Sequence, residues 1–344
     1  MPRHQRERFF EWRPDSHIAQ ASGLFELNIQ LSNTHSTPTR FKQCYEYLSS
    51  CKGHCYNDAM SIPRLYDYIE VLKPRESSLL TFVGICAAFI ASEGDLSLKL
   101  LLIGLTILLG SAGAIGLTNY LDRDVDAKMR RTRNRALPSR RIYPPEKVLP
   151  PVVGLIVTGL VLAFYLHWLS FLAGLLGTAS AGFWRKRWTC VFPQGIMPSC
   201  APILIGWFAI KPAFSWELLL LCLLITAWLP LHVWSIMITN RNDYISAGLD
   251  YFPMSWQPKD AAKVLLAFSL VLYVASIALY FVGGFTRLYL VLAGLLGAMI
   301  IYNTSRLAIS GVSRDAWWLY KLSSFPYLGV VFLTMSLDVW LLVP

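Results

Sequence analysis

Long apolar runs fill most of the chain after Ser77, and they constrain its fold more than any other feature. A helix that crosses the hydrocarbon core of a bilayer needs about 20 mainly apolar residues. Charged residues make up only 15% of the chain, against about a quarter in soluble domains. The sequence therefore predicts an all-α, polytopic membrane helix bundle of about nine transmembrane helices. The predicted spans are Ser78–Ala91, Leu98–Thr118, Val148–Leu166, Trp168–Trp184, Ile196–Ile210, Trp216–Ile238, Ala262–Phe281, Leu288–Tyr302 and Tyr320–Leu342.

The basic residues behind the formal net charge of +10 lie mostly in alternate loops between these runs. The loop after the second span is the richest, and the loops after the fourth, sixth and eighth spans follow the same pattern, whereas the intervening loops are nearly bare. Loops rich in Lys and Arg are usually cytoplasmic. This pattern predicts a multi-pass protein of the cell (inner) membrane with a cytoplasmic N-terminus, and it disfavours nucleic-acid binding, which needs a continuous basic surface.

Residues 1–65 differ from the rest because they are polar and lack a clear hydrophobic period. We expect a poorly ordered extension there, before a membrane-embedded domain at 66–344; a small accessory segment, or translation starting at Met60, are the alternatives. Cys44, Cys51 and Cys55 have a spacing that is not typical of zinc sites, which favours an ordinary loop.

The second span leads into a run of polar residues with an informative spacing. Asn119, Asp122 and Asp126 share one face if the helix continues, and Asp124 points the other way. Carboxylate and amide oxygens suit Mg²⁺, which also accepts substrate phosphate oxygens and water. Acids near a bilayer are costly and usually functional, although a solvated loop that only enforces topology would explain the arginines that follow.

A second polar cluster ends the sixth span on the same predicted side of the membrane. Asp243 and Asp250 would be seven residues apart on a helix, although Gly248 weakens that assumption. Two such clusters at one end of a bundle can bind one metal–diphosphate from both sides, beside an apolar cavity for a lipid tail. Lys186 and Arg187 are predicted at the same level, where they would neutralise departing pyrophosphate.

The residues around these clusters resemble the UbiA superfamily of intramembrane prenyltransferases, in the branch of protoheme IX farnesyltransferases. The resemblance covers about residues 66–340. The segments that carry it are Asn119-x-x-Asp122-x-x-x-Asp126 with the string through Ser139, Leu72-Lys-Pro-Arg75, Lys186-Arg187, Pro230-Leu-His232-Val-Trp234 and Asp243-Tyr244-x-x-Ala247-Gly248.

The resemblance implies a nine-helix bundle with a central cavity and a Mg²⁺-dependent transfer of farnesyl from farnesyl diphosphate to a vinyl group of heme B, which gives heme O. Heme B is then a substrate, and a heme A synthase or an oxidase-assembly factor is the implied partner besides the lipid bilayer. The metal ligands would be Asn119, Asp122, Asp126 and Asp243, of which the three aspartates would be catalytic. The diphosphate would be bound by Asn119, Arg131, Arg135, Lys186, Arg187 and Arg241, and the acceptor by His232 and Tyr244.

Two other functions compete with this interpretation. Another prenyltransferase of the superfamily would share the donor motif and act on a quinone precursor, a chlorophyllide or a lipid. A membrane transporter would use the carboxylates for a cation path, but it predicts charges near the middle of the spans, where this sequence has almost none. A histidine such as His232 within a span also has an ordinary interpretation, as a hydrogen-bonded contact between helices.

Overall fold

The structure, a computed structural model, describes residues 64–183 and 195–342. Twelve α-helices and one 3-10 turn, Pro145–Val148, form the described part of the chain. The helices are α1 (Leu65–Leu72), α2 (Pro74–Ala91), α3 (Leu98–Asp126), α4 (Leu149–Leu166), α5 (Trp168–Phe183), α6 (Ile196–Ile210), α7 (Trp216–Thr239), α8 (Arg241–Ser246), α9 (Pro258–Gly283), α10 (Arg287–Ser310), α11 (Ser313–Ser323) and α12 (Phe325–Leu342). The predicted extension at residues 1–65, with its three cysteines, lies almost entirely outside the described residues and stays a prediction.

Local chemistry explains where several helices begin and end. The side chains of Ser215 and Thr286 accept hydrogen bonds from the first backbone N–H groups of α7 and α10, which are otherwise unsatisfied at a helix start. Gly284 and Gly311 have φ of 64° and 67°, the left-handed conformation that ends α9 and α10 at little steric cost.

The helices pack as a closed ring. Neighbours along the chain contact each other from α2 to α7, α7 packs on α9 and α11, and α9 packs on α10. Contacts of α12 with α2 close the ring, and α6 also packs on α2 across it. Much of the apolar surface points outward instead: only 22% of the most apolar window of the α4 span is buried. Such a surface requires lipid around it, and the protein is a multi-pass membrane protein.

The predicted number of nine spans is not confirmed by helix length. Seven segments of the described chain are long and apolar enough to cross a bilayer. The helices at the fourth and fifth predicted spans, α5 and α6, have 16 and 15 residues. They rise about 24 and 22 Å, less than the hydrocarbon thickness of about 30 Å.

The last predicted span begins earlier than expected and contains a break. The crossing segment runs from Ser313 to Leu341, and α11 ends before Ser324, whose ψ of −138° is not helical. Pro326 follows in the first turn of α12, where a missing N–H costs little. At the break, the hydroxyls of Ser323 and Ser324 face another helix, and they provide a polar contact inside the bundle.

Candidate active site

The motif predicted at the end of the second span is part of one continuous helix, because α3 extends to Asp126. Asp122 and Asp126 are buried, with 3% and 1% of their surface exposed, whereas the side chain of Asp124 is 83% exposed. Asp126 Oδ2 accepts a hydrogen bond from Arg135 Nη1 at 3.1 Å. The inferred common face is therefore confirmed, and it points into the protein.

The amide of Asn119 is oriented by a neighbouring helix. Its Nδ2 donates to the carbonyl oxygen of Val71, at the end of α1, over 2.6 Å. A carbonyl oxygen can only accept, so this contact assigns the two ends of the amide. Asn119 lines a small cleft with Asp126 and Arg135, and its Oδ1 is the end available to a ligand there.

A cavity of about 310 Å³ begins at Asp122 and continues into the bundle between α2, α3, α4, α5 and α6. On α3 its wall extends to Thr106, about 24 Å of helix away. Among the described residues that line it, Asp122 is the only ionisable one. Near the deep end α4 approaches closely, because a Cβ at Gly159 would meet the backbone of Gly110 at 2.8 Å. The cavity can hold an elongated apolar group with an anionic or metal-bound head at Asp122.

Asp243, from the second cluster, binds the loop that follows α3. Its Oδ1 and Oδ2 accept the backbone N–H groups of Arg130 and Arg131, each at 2.9 Å. Arg131 also donates from Nη2 to the hydroxyl of buried Tyr244 at 3.3 Å. The two motif segments are thus joined directly, and they lie on one side of the membrane domain as predicted.

The loop after α3 is anchored to the protein by buried side chains, although much of it is exposed. Thr132 and Met129 are fully buried, and Thr132 Oγ1 donates to the Asp126 carbonyl at 2.9 Å. Arg130 and Arg131 remain exposed. This arrangement holds cations beside the carboxylates, which a loop that served topology alone would not require.

The second cluster does not form the single helix on which Asp243 and Asp250 would share a face. The helix α8 ends at Ser246, and Gly248 has φ of 81°, so Asp250 does not share a helical face with Asp243. Arg241 donates from Nη2 to the Met254 carbonyl at 2.8 Å, which ties the start of α8 to the segment before α9.

The side chains of the α3 motif are suitable ligands for Mg²⁺, provided that a bound substrate fills the remaining coordination positions. Asp122, Asp126 and Asn119 offer hard oxygen ligands. Within 64–183 and 195–342, however, no three acidic, histidine or cysteine side chains are grouped closely enough to hold a metal. Asp243 is not gathered with the α3 carboxylates because both of its oxygens bind the loop backbone. Remaining ligands would come from diphosphate oxygens and water.

His232 lies between helices and not among the residues that line the cavity. Its ring stacks on Trp228 and lies against Tyr320, both at 4.8 Å between centroids. Its Nδ1 is 3.4 and 3.5 Å from the hydroxyls of Ser324 and Ser323 at the break before α12. These contacts are those of a hydrogen-bonded interhelical histidine, and its predicted role at the acceptor stays a prediction. Lys186 and Arg187 lie outside the described residues.

Comparison with known proteins decides the family. The sequence profile of the UbiA prenyltransferase family matches residues 78–325. The chain belongs to the UbiA prenyltransferase family. A protoheme IX farnesyltransferase of Desulforudis audaxviator is 35% identical over 286 residues, which are 80% of this chain and 88% of that protein. One from Symbiobacterium thermophilum is 33% identical over 287 residues, covering 79% and 94%.

Solved structures show the same UbiA fold. A structure of digeranylgeranylglyceryl phosphate synthase superposes with a TM-score of 0.67 at 17% identity, over 81% of this chain and 99% of that one. A UbiA homologue from Archaeoglobus fulgidus, bound to GPP and Mg²⁺, has a TM-score of 0.55 at 16% identity, over 80% and 100%.

One part of this UbiA site was not predicted, although the sequence carries a signal for it. One row of the α3 wall of the cavity repeats every four residues and leads to the aspartate. Its members are Thr106, Gly110, Ala114, Thr118 and Asp122, and beside this row the cavity is lined by Ile107, Ser111 and Ile115. Side chains four apart lie on one helix face, so a stripe of small residues that ends in an acid predicts a groove with a polar mouth.

Proposed function

We propose that this chain transfers the farnesyl group of farnesyl diphosphate to a vinyl group of heme B and so forms heme O. The observation that carries the proposal is the identity of 35% and 33%, over about 80% of the chain, to protoheme IX farnesyltransferases. Membership of a prenyltransferase family disfavours the transporter hypothesis.

The reaction breaks the C1–O bond of the donor, the π bond of the vinyl group and one O–H bond of water, and it forms one C–C and one C–O bond. The C1–O bond of farnesyl diphosphate breaks and pyrophosphate leaves with the electron pair. C1 bonds to the terminal carbon of the vinyl group, and the cation left beside the pyrrole ring takes the oxygen of a water molecule, which then loses a proton. Farnesyl diphosphate, heme B and water thus yield heme O, pyrophosphate and a proton.

The diphosphate end of the donor is assigned to the α3 motif. Bound Mg²⁺ would stabilise the charge on the departing pyrophosphate. Asp122, Asp126 and the Oδ1 of Asn119 are its proposed ligands, and the exposed Arg131 and the half-buried Arg135 would bind phosphate oxygens. Arg241, Lys186 and Arg187 are the further proposed ligands of the diphosphate, and Asp243 would act on it through the metal.

The cavity that begins at Asp122 is assigned to the farnesyl tail. An extended chain lengthens by at most about 3.5 Å for each three bonds, so the eleven bonds of the twelve-carbon main chain of farnesyl span about 13 Å. The tail therefore fits within the cavity's length of about 24 Å. Its apolar walls would exclude water from an allylic cation at C1.

The acceptor side is assigned to the second cluster. Tyr244 touches Arg131, so it is the predicted acceptor residue nearest to the diphosphate end. His232 would need to leave its stack between Trp228 and Tyr320 before it could contact a porphyrin. We propose an inner-membrane protein whose active-site loops face the cytoplasm, together with a heme A synthase or oxidase-assembly factor that receives the apolar product.

The test uses membranes from cells that express the full chain, with Mg²⁺, farnesyl diphosphate and heme B. Extracted hemes are analysed by chromatography and mass spectrometry, and a hydroxyethylfarnesyl adduct that disappears with EDTA is the expected result. Unchanged heme B, with farnesyl diphosphate consumed on a quinone precursor, would overturn the acceptor and retain the family activity.

A further inference from the structure

Arg141 connects the loop after α3 to the short helix α1. Its two terminal nitrogens donate to Asp67 and to Glu70, one turn apart on α1. The same guanidinium donates to the carbonyl of Asn134 at 3.1 Å. A planar guanidinium suits such a forked contact, which the ammonium of lysine cannot reproduce. Arg141 therefore joins the motif loop to α1 by two hydrogen bonds, and a third holds its guanidinium against the loop itself.

The far end of α1 touches the proposed metal site. Val71 lies in the last turn of α1, and its carbonyl accepts the hydrogen bond from Asn119 Nδ2. Asp67 is also fixed at the other end of α1, since its Oδ2 accepts from the backbone N–H of Arg64 at 3.0 Å. A helix of eight residues is too short to be stable alone. Contacts with the rest of the protein must hold α1, and with it the Val71 carbonyl, in place.

Two kinds of contact hold α1. One is a small apolar cluster, separate from the main core, in which Val71 packs on Ala136, Leu137, Ile142 and Val148. Packing of this kind keeps α1 attached but is not directional. The other is the fork at Arg141, which specifies the rotation of α1 about its axis, because only one rotation presents both carboxylates to the guanidinium.

The carboxylates of Asp67 and Glu70 stabilise the positive charge of Arg141. Burial works against the charge on Arg141, but hydrogen bonds and the charges of Glu70 and Asp67 outweigh it, and the pKa of Arg141 is raised. The guanidinium stays charged at every pH at which a membrane enzyme works.

We propose that Arg141 is a positioning residue for the metal–diphosphate site. By holding Asp67 and Glu70 it sets the rotation of α1, and the Val71 carbonyl then holds the amide of Asn119 with Oδ1 toward the ligand. The inference deepens the proposed function and rests on its assignment of Asn119 to the metal–diphosphate. Residues that orient metal ligands from outside typically change metal affinity by about 10- to 100-fold.

The test measures ligand binding separately from turnover. Titration calorimetry on the detergent-solubilised full chain gives the Kd of farnesyl thiodiphosphate, which is resistant to ionisation, at fixed Mg²⁺ concentrations. The variants are Arg141→Lys, which keeps the charge and loses the fork, Arg141→Glu alone, and the exchange Arg141→Glu with Glu70→Arg. Lys147→Gln is the control, because it removes an exposed cation from the same side of the domain.

We expect Arg141→Lys to weaken Mg²⁺-dependent binding by about 10-fold, with kcat at saturating Mg²⁺ and the Tm both close to those of the parent. The exchange should bind more tightly than Arg141→Glu alone, because it restores an ion pair between positions 70 and 141, and Lys147→Gln should bind like the parent. A lower Tm with unchanged affinity in Arg141→Lys would show a merely structural role and overturn the proposal. If the parent binds the analogue with Mg²⁺ but forms no heme adduct, the acceptor assignment fails instead, and the binding comparison still decides the role of Arg141.

Discussion

Two aspartates on the last turns of α3 have opposite surroundings. Asp122 is buried at the mouth of the cavity, whereas Asp124 is exposed and only 3.8 Å from Arg123, a type of ion pair worth little. We expect Asp122→Asn to lower farnesyl transfer by more than about 100-fold, above the range for residues that only support metal ligands. Asp124→Asn should retain activity. Adduct formation in membranes, with Tm as a check on folding, measures both.

The same comparison tests the orientation of the helix. Similar losses of activity in both variants would mean that charge near the membrane, and not a ligand on one face of α3, accounts for the effect. Full activity in Asp122→Asn would remove this residue from the proposed metal site.

Asp243 offers a second comparison, because it bonds to the backbone of the first motif and Asp250 does not share its helix. Asp243→Asn keeps one acceptor oxygen and loses the bond to either Arg130 or Arg131. A hydrogen bond to a charged group contributes about 1.5–3 kcal/mol, so we expect the KM for farnesyl diphosphate to rise about tenfold. Asp250→Asn should leave this KM unchanged, and initial rates over a range of donor concentrations measure the difference. A larger effect at Asp250 than at Asp243 would instead identify Asp250 as the ligand.

At the scale of one helix, α3 combines the carboxylates with the wall of the tail cavity. A Cβ at Gly110 would meet nothing within 4 Å, and Gly110 lies about 18 Å of helix from Asp122, near the expected end of a farnesyl tail. We expect Gly110→Leu to lower activity with farnesyl diphosphate by about tenfold or more, since overpacking costs about 1–3 kcal/mol. Geranyl diphosphate, one isoprene unit shorter, should be affected less.

Gly154 provides the matched control for that substitution. It also has open space around its Cβ, but it is exposed on α4 and does not line the cavity. Gly154→Leu should leave the ratio of activities with the two donors unchanged. An unchanged ratio in Gly110→Leu as well would show that the tail does not reach this part of α3.

Some helices and contacts of this structure can be predicted from the sequence, and others cannot. The period of α3 predicts its shared polar face, because side-chain spacing on a helix is local geometry. The fork between Arg141 and α1 was missed, since its partners are more than 70 residues apart and no local pattern brings them together. The break at Ser324 was missed for a related reason: the apolar run continues through Pro326, and the polar contacts that stabilise the break come from α7.

For the whole molecule, the bond between Asp243 and the loop after α3 constrains topology. It places the ends of α3 and α7 on one side of the membrane domain. The alternation of basic loops predicts the same arrangement, although α5 and α6 are short for a span. The number of crossings from the end of α3 to the end of α7, with α7 itself counted, therefore has to be even, whichever way the short helices lie.

Which side is cytoplasmic is a separate prediction that labelling can decide. In a chain whose native cysteines are replaced, single cysteines are introduced at Arg133, in the basic loop, and at Asp95, in the sparsely charged loop between α2 and α3; both positions are exposed. A membrane-impermeant maleimide should label Asp95→Cys in intact spheroplasts and label Arg133→Cys only after the membrane is opened. The reverse pattern would place the diphosphate site outside the cell, where farnesyl diphosphate from the cytosol could not reach it.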